Sequence, residues 1–230
     1  MSIDLRKGQR INLKKIDNHG IQKFCVACKW DKIEKKGIMS LFGVKKMENV
    51  DLDLSCVLFD NENNMIDYIY SPNYNVSFLA YYGYSKGKLF TNDIALMHSG
   101  DDLEGGNDDN DNSDDNEIIK VDLSKVSSKV NKIVFFLNYV GEKNIDLSKI
   151  SFFRIRLFEG EPDNCVKEHM NFVVNTNNSS NFLGKRAIIM GGLVCESGEW
   201  TFKAIGKETD DANLCVTMDY IKSHISELLS

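Results

Sequence analysis

The sequence predicts an all-β protein, a two-sheet antiparallel β-sandwich with a short C-terminal helix. Three observations carry this expectation. Short segments of strand character recur from end to end, turn residues separate them, and an apolar stripe at helical spacing appears only at the C-terminus. Many short strands with turns between them favour a sandwich or barrel over alternating βαβ units.

In chain order, strands are expected at Arg10–Leu13, Lys23–Trp30, Val50–Phe59, Phe78–Tyr84, Glu117–Leu123 and Lys132–Tyr139. Further strands are expected at Phe152–Phe158, Met170–Val174, Ala187–Cys195 and Trp200–Ile205. The alternation is clearest in Val50–Phe59. There Val50, Leu52, Leu54, Cys56 and Leu58 share one face, and Asp51, Asp53 and Ser55 share the other, the pattern of a half-buried strand. In Phe152–Phe158, Arg154 and Arg156 lie opposite Phe153, Ile155 and Leu157. They read as a solvated face or an anion- or partner-binding patch.

Glu196-Ser-Gly-Glu199 reads as a tight hairpin with Ser-Gly at its turn. Met218, Ile221, Ile225, Leu228 and Leu229 follow helical spacing, with Thr217 as the expected N-cap. Because its polar face is not basic, that stripe is expected to pack on the sandwich and not on a membrane. Glu34–Asn49, Ser71–Val76 and Asn175–Asn181 read as loops or insertions.

The chain has 230 residues, 42% of them hydrophobic and only two of them prolines. No Pro-rich or Gly/Ser-rich linker and no internal repeat divides it, so one domain over residues 1–230 is expected. No apolar run has the length of a membrane span and the N-terminus lacks a signal-peptide core, which points to cytoplasmic residence. The six cysteines are then expected as reduced thiols. A net charge of −6, with no basic patch interleaved with aromatics, argues against nucleic-acid binding.

That acidity is local. Asp101 to Glu117 holds nine carboxylates and no Lys or Arg, whereas outside it 25 acids face 28 bases. With its Asn and Ser residues, fourteen of these seventeen side chains carry oxygen. Crowded carboxylates repel one another, and a hard divalent cation relieves the repulsion while taking their oxygens as ligands. Such runs are also commonly solvated loops, and this one does not fit the EF-hand spacing. A second acidic pair strengthens the cation reading. Asp51 and Asp53 point the same way along one expected strand, about 6.5–7 Å apart.

Other motifs are weaker. Cys25-Val-Ala-Cys28 lies in an expected strand, where its thiols face opposite sides, and no second C-x-x-C exists to complete a zinc site. It reads as structural. His19, His98, His169 and His224 are scattered, with none at metal-ligand spacing.

Five ordered blocks resemble the tellurium-resistance TerD family over nearly the whole chain. They are Leu5-Arg-Lys-Gly8 within Ile3–Leu13, Lys29-Trp-Asp31, Asp51-Leu-Asp-Leu-Ser55, the acidic pair of motifs, and a late glycine-rich block. The acidic motifs are His98-Ser-Gly-Asp-Asp-Leu-Glu-Gly105 and Asp114-Asp-Asn-Glu-Ile-Ile-Lys-Val-Asp-Leu123. The late block is Met190-Gly-Gly-Leu193 followed by Gly198-Glu-Trp-Thr-Phe-Lys-Ala-Ile-Gly206. The stretch between Gly105 and Glu117 is longer than the family pattern, as is Glu34–Asn49.

The resemblance implies a calcium-binding β-sandwich connected with resistance to tellurite and other chemical stress, without an agreed enzymatic activity, and a non-enzymatic module is expected. It implies Asp51, Asp53, Asp101, Asp102, Asp115 and Glu117 as calcium ligands, with backbone carbonyls near Gly105 completing the shell. Calcium ions and an unidentified protein are the expected partners. Two other readings stand beside it. One is a metal-dependent hydrolase with His98 as acid or base. The other is a calcium-dependent module that binds a membrane peripherally, by analogy of fold.

Overall fold

The structure, a computed structural model, describes residues 2–16, 20–35, 46–48, 50–71, 76–85, 87–100, 115–139, 145–176, 180–211 and 213–230. The strands are β1 (Ile3–Leu5), β2 (Arg10–Asn12), β3 (Lys23–Trp30), β4 (Ile33–Lys35), β5 (Lys46–Glu48), β6 (Leu52–Phe59) and β7 (Met65–Ile69). They continue as β8 (Leu96–His98), β9 (Glu117–Asp122), β10 (Lys132–Tyr139), β11 (Phe152–Glu161), β12 (Asn164–Asn175), β13 (Ala187–Glu196) and β14 (Glu199–Thr209). Helices are α1 (Leu13–Ile16), α2 (Val76–Tyr81) and α3 (Leu214–Leu229). One sheet runs β1-β12-β11-β3-β9-β8 and the other β2-β14-β13-β10-β6-β7, with β4-β5 a separate pair. The expected β-sandwich with a C-terminal helix is what forms. One pairing departs from antiparallel order: β1 joins β12 in parallel.

Alternation along the strands fills the space between the sheets. Leu52, Leu54, Cys56 and Leu58 of β6 meet Phe153, Ile155 and Leu157 of β11, together with Trp30 and Cys28 of β3. The other face of β6 is not the solvent face its carboxylates suggested, because every residue of the strand is buried. Val57 and Phe59 join Val134 and Phe136 of β10 under Leu214, Met218, Ile221 and Ile225 of α3. Each such large apolar side chain contributes about 1.5–3 kcal/mol on burial. The glycines of Met190-Gly-Gly-Leu193 serve this packing. A Cβ on Gly191 would lie 2.3 Å from the Phe202 ring, and one on Gly192 would lie 2.7 Å from Leu229 of α3.

Several elements differ from the sequence expectation. Phe78–Tyr84 is not a strand. Helix α2 ends there instead, closed by Tyr82 and Gly83 N–H bonds back to Leu79 and Ala80. Leu79 alone among its described residues is buried, and the Phe78 ring packs at a tilt against Tyr82 one turn later, a helical contact. The N-cap of α3 is Asn213, whose side chain accepts the Val216 N–H, and not Thr217. Thr217 sits inside the first turn, where its hydroxyl accepts a buried hydrogen bond from Asn138 at 2.7 Å. The flanks of Glu34–Asn49, expected as loop, pair as β4 and β5.

The Glu196–Glu199 hairpin forms as expected, with Ser197 and Gly198 both at positive φ (52° and 80°), the type I′ geometry. A different left-handed residue, Ile94 (φ 53°), is β-branched, and that conformation costs about 1–3 kcal/mol. The turn that holds it is heavily bonded. The Thr91 hydroxyl accepts the N–H groups of Ala95 and Leu96, and Asp93 accepts those of Ala95 and Ser127.

The cap makes a direct prediction. Asn213→Ala removes one N-terminal hydrogen bond of α3 and should cost about 1 kcal/mol, about 2–4 °C in Tm. A thermal melt identical to that of the parent protein would show the cap to be idle.

Candidate functional site

The site is built where β6 outruns its neighbour. Pairing with β7 begins at Cys56, which opposes Ile69, so among the described residues the backbone of Leu54 has no strand partner on that side. Two side chains of the opposite sheet take its place. The Glu117 carboxylate accepts the Leu54 N–H, and His98 Nε2 donates to the Leu54 carbonyl at 2.9 Å. Both groups reach inward because of register: Glu117 opposes the core residue Cys28, and His98 opposes the core residue Ile119. His98 Nδ1 accepts the Gly100 N–H at 3.1 Å, which fixes the imidazole as the tautomer protonated on Nε2. The two side chains lie 3.6 Å apart and are fully buried.

This clasp fixes the described residues on either side of positions 101–114. Gly100 stands two residues after His98 and Asp115 two residues before Glu117, so both lie next to residues pinned at Leu54. Asp53, the chain neighbour of Leu54, is buried, and Asp51 is half-buried at the start of the strand. Trp30 holds that start in place. Its indole N–H donates to Val50 O at 2.9 Å, while its backbone N–H donates to Asn116 Oδ1 at 2.8 Å. Asp101, Asp102 and Gly105 lie outside the described residues. Among the described residues, no three His, Cys, Asp or Glu side chains converge as a metal cluster.

Asp115 has a different environment from Glu117. It lies on the outer face of its sheet between Arg154 and Arg156. Arg154 Nη2 is 3.0 Å from Oδ1, and Arg156 reaches Oδ2 with Nε at 2.9 Å and Nη2 at 2.5 Å. Arg156 also bonds Glu168 at 3.1 Å and stacks over the Phe158 ring. Burial opposes its charge, but the Asp115 and Glu168 carboxylates outweigh it and raise the guanidinium above its ordinary pKa. The arginine face expected to be solvated or to bind an anion is therefore the clamp on Asp115. Sequence alternation located that face; only the register of β11 against β3 and β9 identifies what it holds.

Cys25 and Cys28 face opposite sides of β3, Cys25 in a small outer cluster and Cys28 in the core. Burial pushes the Cys25 thiol up to about 11, with Lys120 partly opposing, and raises Cys28 well above the ordinary thiol range. All six cysteines are free thiols. His169 bonds Glu159 at 2.9 Å and His224 bonds the Tyr220 carbonyl at 2.9 Å, both far from His98 in sequence.

Two measurements probe this geometry. Arg156→Met leaves the buried Asp115 carboxylate short of its main partner and should destabilise the fold by about 3 kcal/mol in denaturant titration. An unchanged midpoint would show that Arg154 alone suffices. Alkylation with iodoacetamide at pH 8 should label the exposed Cys165 first and leave Cys25 and Cys28 unlabelled until unfolding, since raised pKa values suppress thiolate. Early labelling of Cys25 would contradict its burial.

Comparison with known proteins agrees with this architecture. The stress response protein SCP2 of Bacillus subtilis (strain 168) is 29% identical over 218 residues, covering 93% of this chain and 96% of its own length. The tellurium resistance protein TerZ of Serratia marcescens is 27% identical over 205 residues, covering 89% of each chain. A crystal structure of a Streptomyces coelicolor A3(2) homologue of telluride resistance protein (TerD) superposes with a TM-score of 0.55 at 12% identity. It covers 84% of this chain and 92% of its own, a likeness of fold. The family model for the TerD domain matches residues 1–218, and the chain belongs to the TerD family.

Proposed function

We propose that this protein is a calcium-binding, non-enzymatic TerD module of stress response or chemical resistance, whose acidic stretch is ordered by the cation. The observation that carries the reading is the clasp on Leu54. By seating Glu117 and His98 against β6, it brings both roots of the Asp101–Glu117 stretch beside the strand that bears Asp51 and Asp53. The candidate donors are Asp51, Asp53, Asp101, Asp102 and Glu117, with carbonyls near Gly105. All are oxygen donors, the set that suits Ca²⁺ at about six to eight ligands. Asp115, already neutralised by two guanidiniums, anchors the loop in this reading. Without a cation the crowded carboxylates repel one another; with one, the stretch becomes an ordered surface for a protein partner.

The relatives named for stress response and tellurium resistance support the cellular role, and cytoplasmic residence belongs to the same reading. No helix among the described residues is long and apolar enough to cross a membrane. The hydrolase reading loses support at His98, because both ring nitrogens are engaged by backbone groups in a buried position.

Calorimetric titration of Ca²⁺ into metal-stripped protein, with excess Mg²⁺ as competitor, tests the proposal. Saturable binding at micromolar concentration or tighter that survives Mg²⁺ and is lost in Asp51→Asn/Asp53→Asn is the expected result. Weak, salt-sensitive binding indifferent to that double substitution would reduce the stretch to a solvated acidic loop.

A further inference from the structure

On the outer face of the first sheet, away from the Leu54 clasp, lies a cleft of about 490 Å³. Its size is in the range of small-molecule sites. One wall is the β11–β12 hairpin with Val166, the other is the turn that carries Ile94, and Met97 and Lys120 lie between them. Lys23 and Lys125 line it as well, so three lysines face the two carboxylates Asp122 and Glu161. In a chain of net charge −6 this is a locally positive hollow.

Two of its apolar members stand out into solvent. Val166 is 72% exposed and Ile94 is 55% exposed. Ile94 is also the β-branched residue held in the left-handed region by the Thr91–Asp93 hydrogen bonds. Asn63 and Ser197, the other non-glycine residues at positive φ among the described residues, are common turn types. Strain of this kind persists where the surrounding structure over-determines it, and it concentrates at ligand clamps. Here it projects an apolar side chain over a hollow floored by cations.

The pairing of the cations favours an anion. Asp122 is committed three ways, to Lys23 at 3.6 Å, to Lys125 at 3.7 Å and to Ser124. Lys120 is held by Glu161, whose side chain is 63% exposed, and such a surface pair is readily displaced. We infer that this cleft binds a small organic anion with an apolar body. The anionic group replaces Glu161 at Lys120, and the body lies between Ile94, Met97 and Val166. This goes beyond the calcium reading and does not depend on it.

The test is a fluorescence titration of the full chain with 8-anilinonaphthalene-1-sulfonate, alongside its uncharged counterpart N-phenyl-1-naphthylamine. Saturable one-to-one binding of the sulfonate is expected, with the uncharged probe markedly weaker. Lys120→Gln should weaken the sulfonate about tenfold, as should Ile94→Asn, which removes apolar contact. Asn tolerates the left-handed conformation, so Ile94→Asn should melt no lower than the parent protein. Equal affinity in Lys120→Gln would overturn the proposal whatever Ile94→Asn does, as would equal binding of the two probes or binding that does not saturate. A higher Tm in Ile94→Asn with unchanged affinity would also overturn it, leaving Ile94 as strain without a ligand.

Discussion

The structure depends on one buried piece of strand edge being satisfied from the opposite sheet. Strand β6 extends past β7, and a buried peptide N–H and C=O without partners are costly. Glu117 and His98 cross the core to bond the N–H and C=O of Leu54. The price is a carboxylate and an imidazole buried side by side, each held in one orientation. In return the two sheets are tied together at the end where the acidic stretch begins and finishes. Fixing β8 and β9 against β6 makes the positions of Gly100 and Asp115 properties of the core and not of a loop.

The remaining charges at this end follow the same logic. A carboxylate buried without a partner is strongly disfavoured, so Asp115 comes with Arg154 and Arg156, and Arg156 in turn with Glu168. Trp30 and Asn116 complete the frame by linking β3 to the start of β6 and to the root of β9. In the proposed calcium reading none of these residues needs to touch the cation. They hold the backbone beside Asp51 and Asp53 in place. The cleft around Ile94 lies on the same sheet but is built from a different economy, exposed apolar groups over cations and not buried charges.

Much of this was legible in the sequence. Period-two alternation marked β6 and β11, and the stripe from Met218 to Leu229 marked α3, because each pattern needs only a neighbouring face to be buried. Local chemistry also located the Ser197-Gly198 turn, where two positive φ angles select the residues. The acidic stretch and the Asp51/Asp53 pair stood out for a similar reason, since charge density is written directly in the residues.

What the sequence could not decide was always a matter of which face meets what. The side of β6 that bears Asp53 reads as solvent until α3 is seen to lie over it. Phe78–Tyr84 has the aromatic content of a strand, yet with only Leu79 buried among its described residues it closes a helix. Thr217 resembles a cap, but Asn138 claims its hydroxyl from a strand 79 residues away. Glu117 and Asp115, two residues apart in one acidic run, end on opposite faces of a sheet, one bonded to backbone and the other to arginine. Residue type and period determined the sandwich, its helix and the place of its charge. Only register and sheet-to-sheet packing decided the partner of each charge, because a side chain's partner across a core is set by distances that local sequence does not encode.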